Sequence, residues 1–71
     1  MFLNLEAEQA RNQLTNQATA DLLGISRSSY ETKKRTGKFY AFEIAKLCKI
    51  FNCRYEYLFE WHDPIDATST A

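Results

Sequence analysis

The sequence predicts an all-α fold, a compact bundle of about five short helices. Three observations predict it. Apolar residues recur at steps of three and four along successive stretches, no stretch of any length alternates at period two, and two glycines with one proline are too few for a turn-rich β fold. With 71 residues, 45% hydrophobic and 25% charged, the chain corresponds to one small domain, placed at 1–62 and followed by a flexible tail over 63–71. A chain this short buries only about 60% of the surface its unfolded form exposes, which argues against a deep catalytic cleft and so against an enzyme. No apolar run approaches the roughly 18 residues of a bilayer span, and the opening MFLNLEAEQ lacks a basic and then apolar leader. Cys48 and Cys53 are too few for a disulfide scaffold, so a reduced, cytoplasmic protein is expected.

The elements follow in order. Leu3, Ala7, Ala10 and Leu14 form one apolar stripe of a first helix, with Asn4 as its N-cap. Thr15 caps a second, barely two turns long, whose face is Ala18, Leu22 and Leu23 and whose end is Gly24 in the left-handed conformation. Ser26 caps a third helix from Arg27 to about Lys34, mostly solvent-facing, with Tyr30 its only large apolar residue. Residues 35–40 read as a loop around Gly37. Ile44, Leu47, Cys48 and Phe51 then give the core stripe of a fourth helix, stopped by Asn52. Tyr55, Leu58 and Phe59 define a last short helix before the Asp63-Pro64 break.

The formal charge of zero hides a sorted distribution. Residues 1–26 hold one cation against three acids, and residues 55–71 hold four acids and no lysine or arginine. Residues 27–54 carry eight cations against Glu31 and Glu43, a net +6. The middle of the chain is therefore a cationic belt, a feature that solvated helix faces and anion-binding faces share.

Within that belt, Thr15 to Lys33 joins two helices through a short turn containing a glycine. Ala20 and Gly24 are small where the helices approach, Ile25 fills the corner, Ser26 caps the second helix and Tyr30 plugs it into the core. This is the physical logic of a helix-turn-helix, whose second helix can enter a major groove about 12 Å wide. From Arg11 to Phe59 the chain resembles the Cro and phage-repressor type of helix-turn-helix regulators, the lambda-repressor-like five-helix domains. The resemblance is carried by Leu14-Thr15, Ala20, Gly24-Ile25-Ser26, Gly37, the run Ile44 to Phe51 and the closing Asn52 to Phe59.

The resemblance implies a sequence-specific regulator of double-stranded DNA that acts by occupying an operator. It places Ser26, Arg27, Ser28 and Thr32 toward base edges, and Arg27 suits a bidentate pair to guanine O6 and N7. Asn16 and Gln17 at the start of helix two, with Lys33, Lys34, Arg35 and Lys38, are expected to meet phosphates. Glu31 on the reading helix either accepts from cytosine N4 or pairs with Arg27 or Arg35 one turn away, and the intrahelical pair is favoured. Relatives commonly bind as two-fold dimers, and Tyr57 and Trp61, four apart, with Phe59 or Phe2 offer an apolar patch for self-association.

Other chemistries fit less well. Cys48, Cys53 and His62 supply three ligands where structural zinc wants four, and Cys48 lies on a core stripe, so no metal or other cofactor is expected. His62 and Asp63 lack a nucleophile at known spacing, and Ser26, Ser28 and Ser29 are explained by capping and exposure. The many aromatics, Phe39, Tyr40, Phe42, Phe51, Tyr55, Tyr57, Phe59 and Trp61, are read chiefly as core rather than as a platform for single-stranded bases. The rival to a DNA-binding regulator is a protein-interaction module of the same fold, supported by the zero net charge and Glu31.

Overall fold

The computed structural model describes residues 1–63, and the expected tail lies outside them beyond Asp63. Five helices follow in order: α1 Leu3–Arg11, α2 Asn16–Leu23, α3 Arg27–Thr36, α4 Ala41–Phe51 and α5 Tyr55–Leu58. The core gathers Leu5 from α1, Ala20 and Leu23 from α2, Tyr30 from α3, Leu47 and Phe51 from α4 and Leu58 from α5, with Phe2 closing one end. Among the described residues no helix is long and apolar enough to cross a membrane.

The helix boundaries are set by side chains that satisfy orphan backbone groups. Thr15 Oγ1 accepts from Ala18 N–H at 3.0 Å, and Ser26 Oγ accepts from Ser29 N–H at 3.1 Å. Tyr40 precedes α4 without a usable acceptor on its side chain, and the cap is supplied in reverse: Tyr40 N–H donates to Glu43 Oε1 at 2.9 Å. At the other ends, Asn52 adopts φ +52° while Asn52 and Cys53 N–H return to Lys49 and Cys48 O, a complete Schellman closure.

The two glycines have different physical tasks. Gly24 takes φ +74° and a Cβ there would meet nothing, so its role is conformational rather than the close helix approach expected of it. Ala20, by contrast, is fully buried in the core. Gly37 takes φ +80° and also carries the Trp61 ring, whose Cζ3 would stand 3.1 Å from an added Cβ. By ending α3 at Thr36, two residues beyond the expected Lys34, Gly37 shortens the following loop to four residues, 37–40.

α1 departs from its expected face. Leu3, Ala7 and Ala10 are exposed, while Phe2, Leu5, Glu8 and Gln9 are buried. Two large apolar groups at Phe2 and Leu5 remove more area from water than alanines would, and the polar members of that face find partners. Glu8 accepts from Arg11 at 2.7 Å and from the Tyr57 hydroxyl at 3.0 Å. Its carboxylate raises the Tyr57 phenol above the ordinary tyrosine value. Asn4 is not the N-cap: its amide donates to Tyr57 O and Glu60 Oε1, tying α1 to α5.

The aromatics divide. Phe2, Phe39 and Phe59 pack edge-on or tilted at centroid distances of 5.4 to 5.9 Å, Trp61 meets Phe2 at 4.9 Å, and Tyr30 meets Phe39 at 6.1 Å. Tyr40 and Phe42, by contrast, are each 65% exposed and stay out of the core assigned to them. They flank Ala41 at the start of α4, whose inward positions are taken by Glu43, Leu47 and Phe51.

Substituting the glycines separates the two tasks. Gly24→Ala should cost about 1–2 kcal/mol from the left-handed backbone alone. Gly37→Ala should cost measurably more and shift the Trp61 emission, because the indole must move. Urea unfolding followed by tryptophan fluorescence checks this, and equal costs with unchanged emission would contradict it.

Candidate functional site

α3 presents two faces of opposite character. Inward, Tyr30 and Lys34, one turn apart, are buried. Outward, Arg27, Ser28, Thr32 and Arg35 are exposed, and that face carries no large apolar side chain. Ser28, Thr32 and Thr36 border an open groove of about 590 Å³ whose far wall is Lys38, Phe39 and Tyr40.

The inward face is fixed by a polar cluster. The Lys34 ammonium donates to Asn16 Oδ1 at 2.6 Å and to Gln9 Oε1 at 3.2 Å, and pairs with Glu6 Oε2 at 2.7 Å. The Tyr30 hydroxyl donates to the same Gln9 oxygen at 2.6 Å. Gln9 Nε2 returns to Asn16 Oδ1 at 3.1 Å and to Leu14 O at 3.2 Å, so both ends of its amide are occupied. Burial, then the Glu6 charge, pushes the Tyr30 phenol far above the ordinary tyrosine value, which keeps it a neutral donor.

From this cluster an ordered relay reaches the outer face. Asn16 Nδ2 donates to Glu31 Oε2 at 3.1 Å, and Arg27 Nε donates to the same oxygen at 3.0 Å. The Arg27 and Asn16 bonds hold the Glu31 carboxyl below its ordinary value, so it stays ionised. Of the two intrahelical partners open to Glu31, Arg27 rather than Arg35 is the one engaged. Engaging Nε leaves both terminal nitrogens of the guanidinium free to donate as a fork.

Several residues expected on the phosphate-facing flank are placed elsewhere. Lys34 is buried among α1 and α2 oxygens, so it cannot face a surface ligand. The Asn16 amide is spent at both ends inside the same cluster. The Lys33 side chain is 17% exposed, 3.2 Å from Glu43 Oε1, with its ammonium 4.3 Å from the Tyr40 ring centre. Lys33 and Lys34 turn inward because Glu43 on α4 and Gln9 on α1 are buried acceptors that require a donor, and Asn16 is held there as an acceptor for Lys34 and Gln9. Gln17, Arg35 and Lys38 remain exposed, Gln17 donating to Asp21 at 2.8 Å. Ser26 remains exposed with its hydroxyl engaged as the α3 cap and 3.3 Å from Ser28 Oγ.

The expected apolar patch is also rearranged. α5 ends at Leu58, so Tyr57 and Trp61 are not one helical turn apart on a shared face. Phe59 and Phe2 are packed into the ring cluster, Trp61 lies against Phe2 and Gly37, and Tyr57 turns its hydroxyl to Glu8. Among the described residues no three His, Cys, Asp or Glu side chains gather as a metal site. Sequence reading missed Gln9, Glu6 and Glu43, although Gln9 stands at the four-residue step from Leu5 and so on its face.

A scan against protein-family models gives no match, and searches of curated proteins and of solved structures give none either.

Replacing Lys34 with methionine keeps the stem but removes hydrogen bonds to a charged donor, each worth about 1.5–3 kcal/mol. The loss in urea unfolding should be of that order, against about 0–0.5 kcal/mol for Arg35→Met on the exposed face. Equal effects would place Lys34 outside any structural role.

Proposed function

We propose that the protein binds double-stranded DNA sequence-specifically, with α3 in the major groove, and regulates transcription by occupying its operator. The observation that carries this reading is the buttressed Arg27. Its side chain is 62% exposed, held at Nε by Glu31, with the terminal fork aimed away from that bond. A fork so restrained suits the two acceptors of a guanine edge. Ser28 and Thr32, short and exposed on the same face, fit beside it as tolerant readers, with Ser26 fixing the helix start. Arg35, Lys38 and Gln17 supply backbone contacts on either side.

The inward cluster supports the reading indirectly. A helix that reads base edges must hold its register to a fraction of an ångström, and Lys34, Tyr30 and Asn16 clamp α3 from within. One ten-residue helix gives limited affinity, so two copies on a two-fold site are part of the proposal. Tyr57 and Trp61, 39% and 45% exposed, are open to such a contact, whereas Phe59 is not. A second reading, a protein-interaction module, is favoured by one observation: two of the four flanking cations, Lys33 and Lys34, are paired internally.

Salt separates the two. Each phosphate neutralised contributes a slope of about −0.9 in log K against log salt, so the two exposed flanking cations, Arg35 and Lys38, predict about −2 per copy. Fluorescence anisotropy on a selected duplex pool at several salt concentrations measures this slope. Arg27→Ala should relax the preference at one base pair by about 1–3 kcal/mol while leaving the slope within about one unit. No duplex binding at low salt would reject the reading.

A further inference from the structure

Tyr40 and Phe42 are large rings that the fold leaves in solvent. They stack nearly parallel, 7° between planes and 5.9 Å between centroids, each 65% exposed. Phe42 shares the outer side of α4 with Ala45, Lys46 and Lys49, so neither ring is a core residue displaced by crowding.

The pair is also held in place. Tyr40 N–H is bonded to Glu43, Lys33 is bonded to the same carboxylate, and the Lys33 ammonium lies 4.3 Å from the Tyr40 ring centre. The side chain that would otherwise repel an anion here, Glu43, is 1% exposed and neutralised. It is the only acid between residues 33 and 49, a stretch whose exposed cations are Arg35, Lys38, Lys46 and Lys49. An apolar protein partner needs no such cationic surround, whereas an aromatic ligand on a polyanionic chain matches both properties at once.

We propose that Tyr40 and Phe42 form a stacking ledge for unpaired bases of a single nucleic-acid strand, with Lys38 and Lys46 at its backbone. Every base has a π face, so recognition there is by stacking and charge and tolerates sequence. The groove between the ledge and α3, lined by Ser28, Thr32, Thr36 and Lys38, gives the strand a polar wall. The groove shares Ser28, Thr32 and Lys38 with the α3 reading face, but the stacking rings Tyr40 and Phe42 and the Arg27 fork are separate groups, so either can fail alone.

The test compares a fluorescent thymidine 12-mer with an abasic 12-mer of equal charge, titrated with the full chain at low salt. The thymidine strand should bind at least about fivefold more tightly. The double variant Tyr40→Leu/Phe42→Leu keeps apolar area, removes the π faces and, because both rings are exposed, should melt where the parent does. It should lose the preference, and Tyr40→Phe should keep it. Equal affinity for the two strands, binding of neither, or a preference that survives the double leucine change would each overturn the ledge, the last by placing the base contacts elsewhere on the chain. A duplex titration run alongside keeps the readings apart: thymidine preference without duplex binding rejects only the α3 reading, and duplex binding without thymidine preference rejects only the ledge.

Discussion

The ammonium of Lys34 sits among three oxygens drawn from α1 and α2: Glu6 and Asn16 within 2.7 Å, Gln9 at 3.2 Å. A buried charge is tolerated only when its protons are matched, and here the three donors of an ammonium meet three acceptors. The match is directional, which apolar packing is not. Leu5, Leu47 and Leu58 are fully buried at the centre, where the driving force is non-directional. The roll of α3 about its own axis is set by Lys34 and Tyr30 sharing Gln9. Because α3 has one inward pair and an outer face without large apolar groups, fixing the inward pair fixes what the outer face presents.

The consequence runs outward through bonds rather than through space alone. Asn16 faces the cluster with its oxygen and Glu31 with its nitrogen, and Glu31 in turn holds Arg27. An exposed ion pair of this kind contributes little to stability. Its effect is on orientation, since the guanidinium is restrained at one nitrogen and open at two. At the far end of α3, Gly37 and Trp61 do for the helix terminus what the polar cluster does for its middle. Trp61 closes on the glycine, Phe2 closes on Trp61, and α3 is thereby pinned to both ends of the described chain.

What the sequence revealed, and what it concealed, follows from the range of each interaction. Thr15, Ser26, Gly24 and Asn52 act within a few residues of themselves, so spacing and residue type identify them as caps. The Arg27–Glu31 pair is legible for the same reason. Lys33, Lys34 and Asn16 look outward-facing in the sequence because their partners, Glu43, Glu6 and Gln9, lie on other helices. A lysine's inward turn depends on an acceptor that no local pattern announces. The α1 stripe was misread because periodicity weighs alanine as apolar and glutamine as polar, whereas volume and available partners decide which is buried. Tyr40 and Phe42 show the converse error: aromatic residues in a small chain are usually core, and only the placement of Glu43 on the inner side of α4 reveals that these two are not.

Under the proposed function, α3, clamped from within, is the surface that meets duplex DNA. Amide chemical-shift mapping of the full chain with a short selected duplex tests it most directly. The largest shifts should fall on Ser26 to Arg35 and on the loop through Lys38, with α1 and α5 little changed. Shifts concentrated on α1, α5 or Trp61 with α3 silent, or no shifts at low salt, would contradict it.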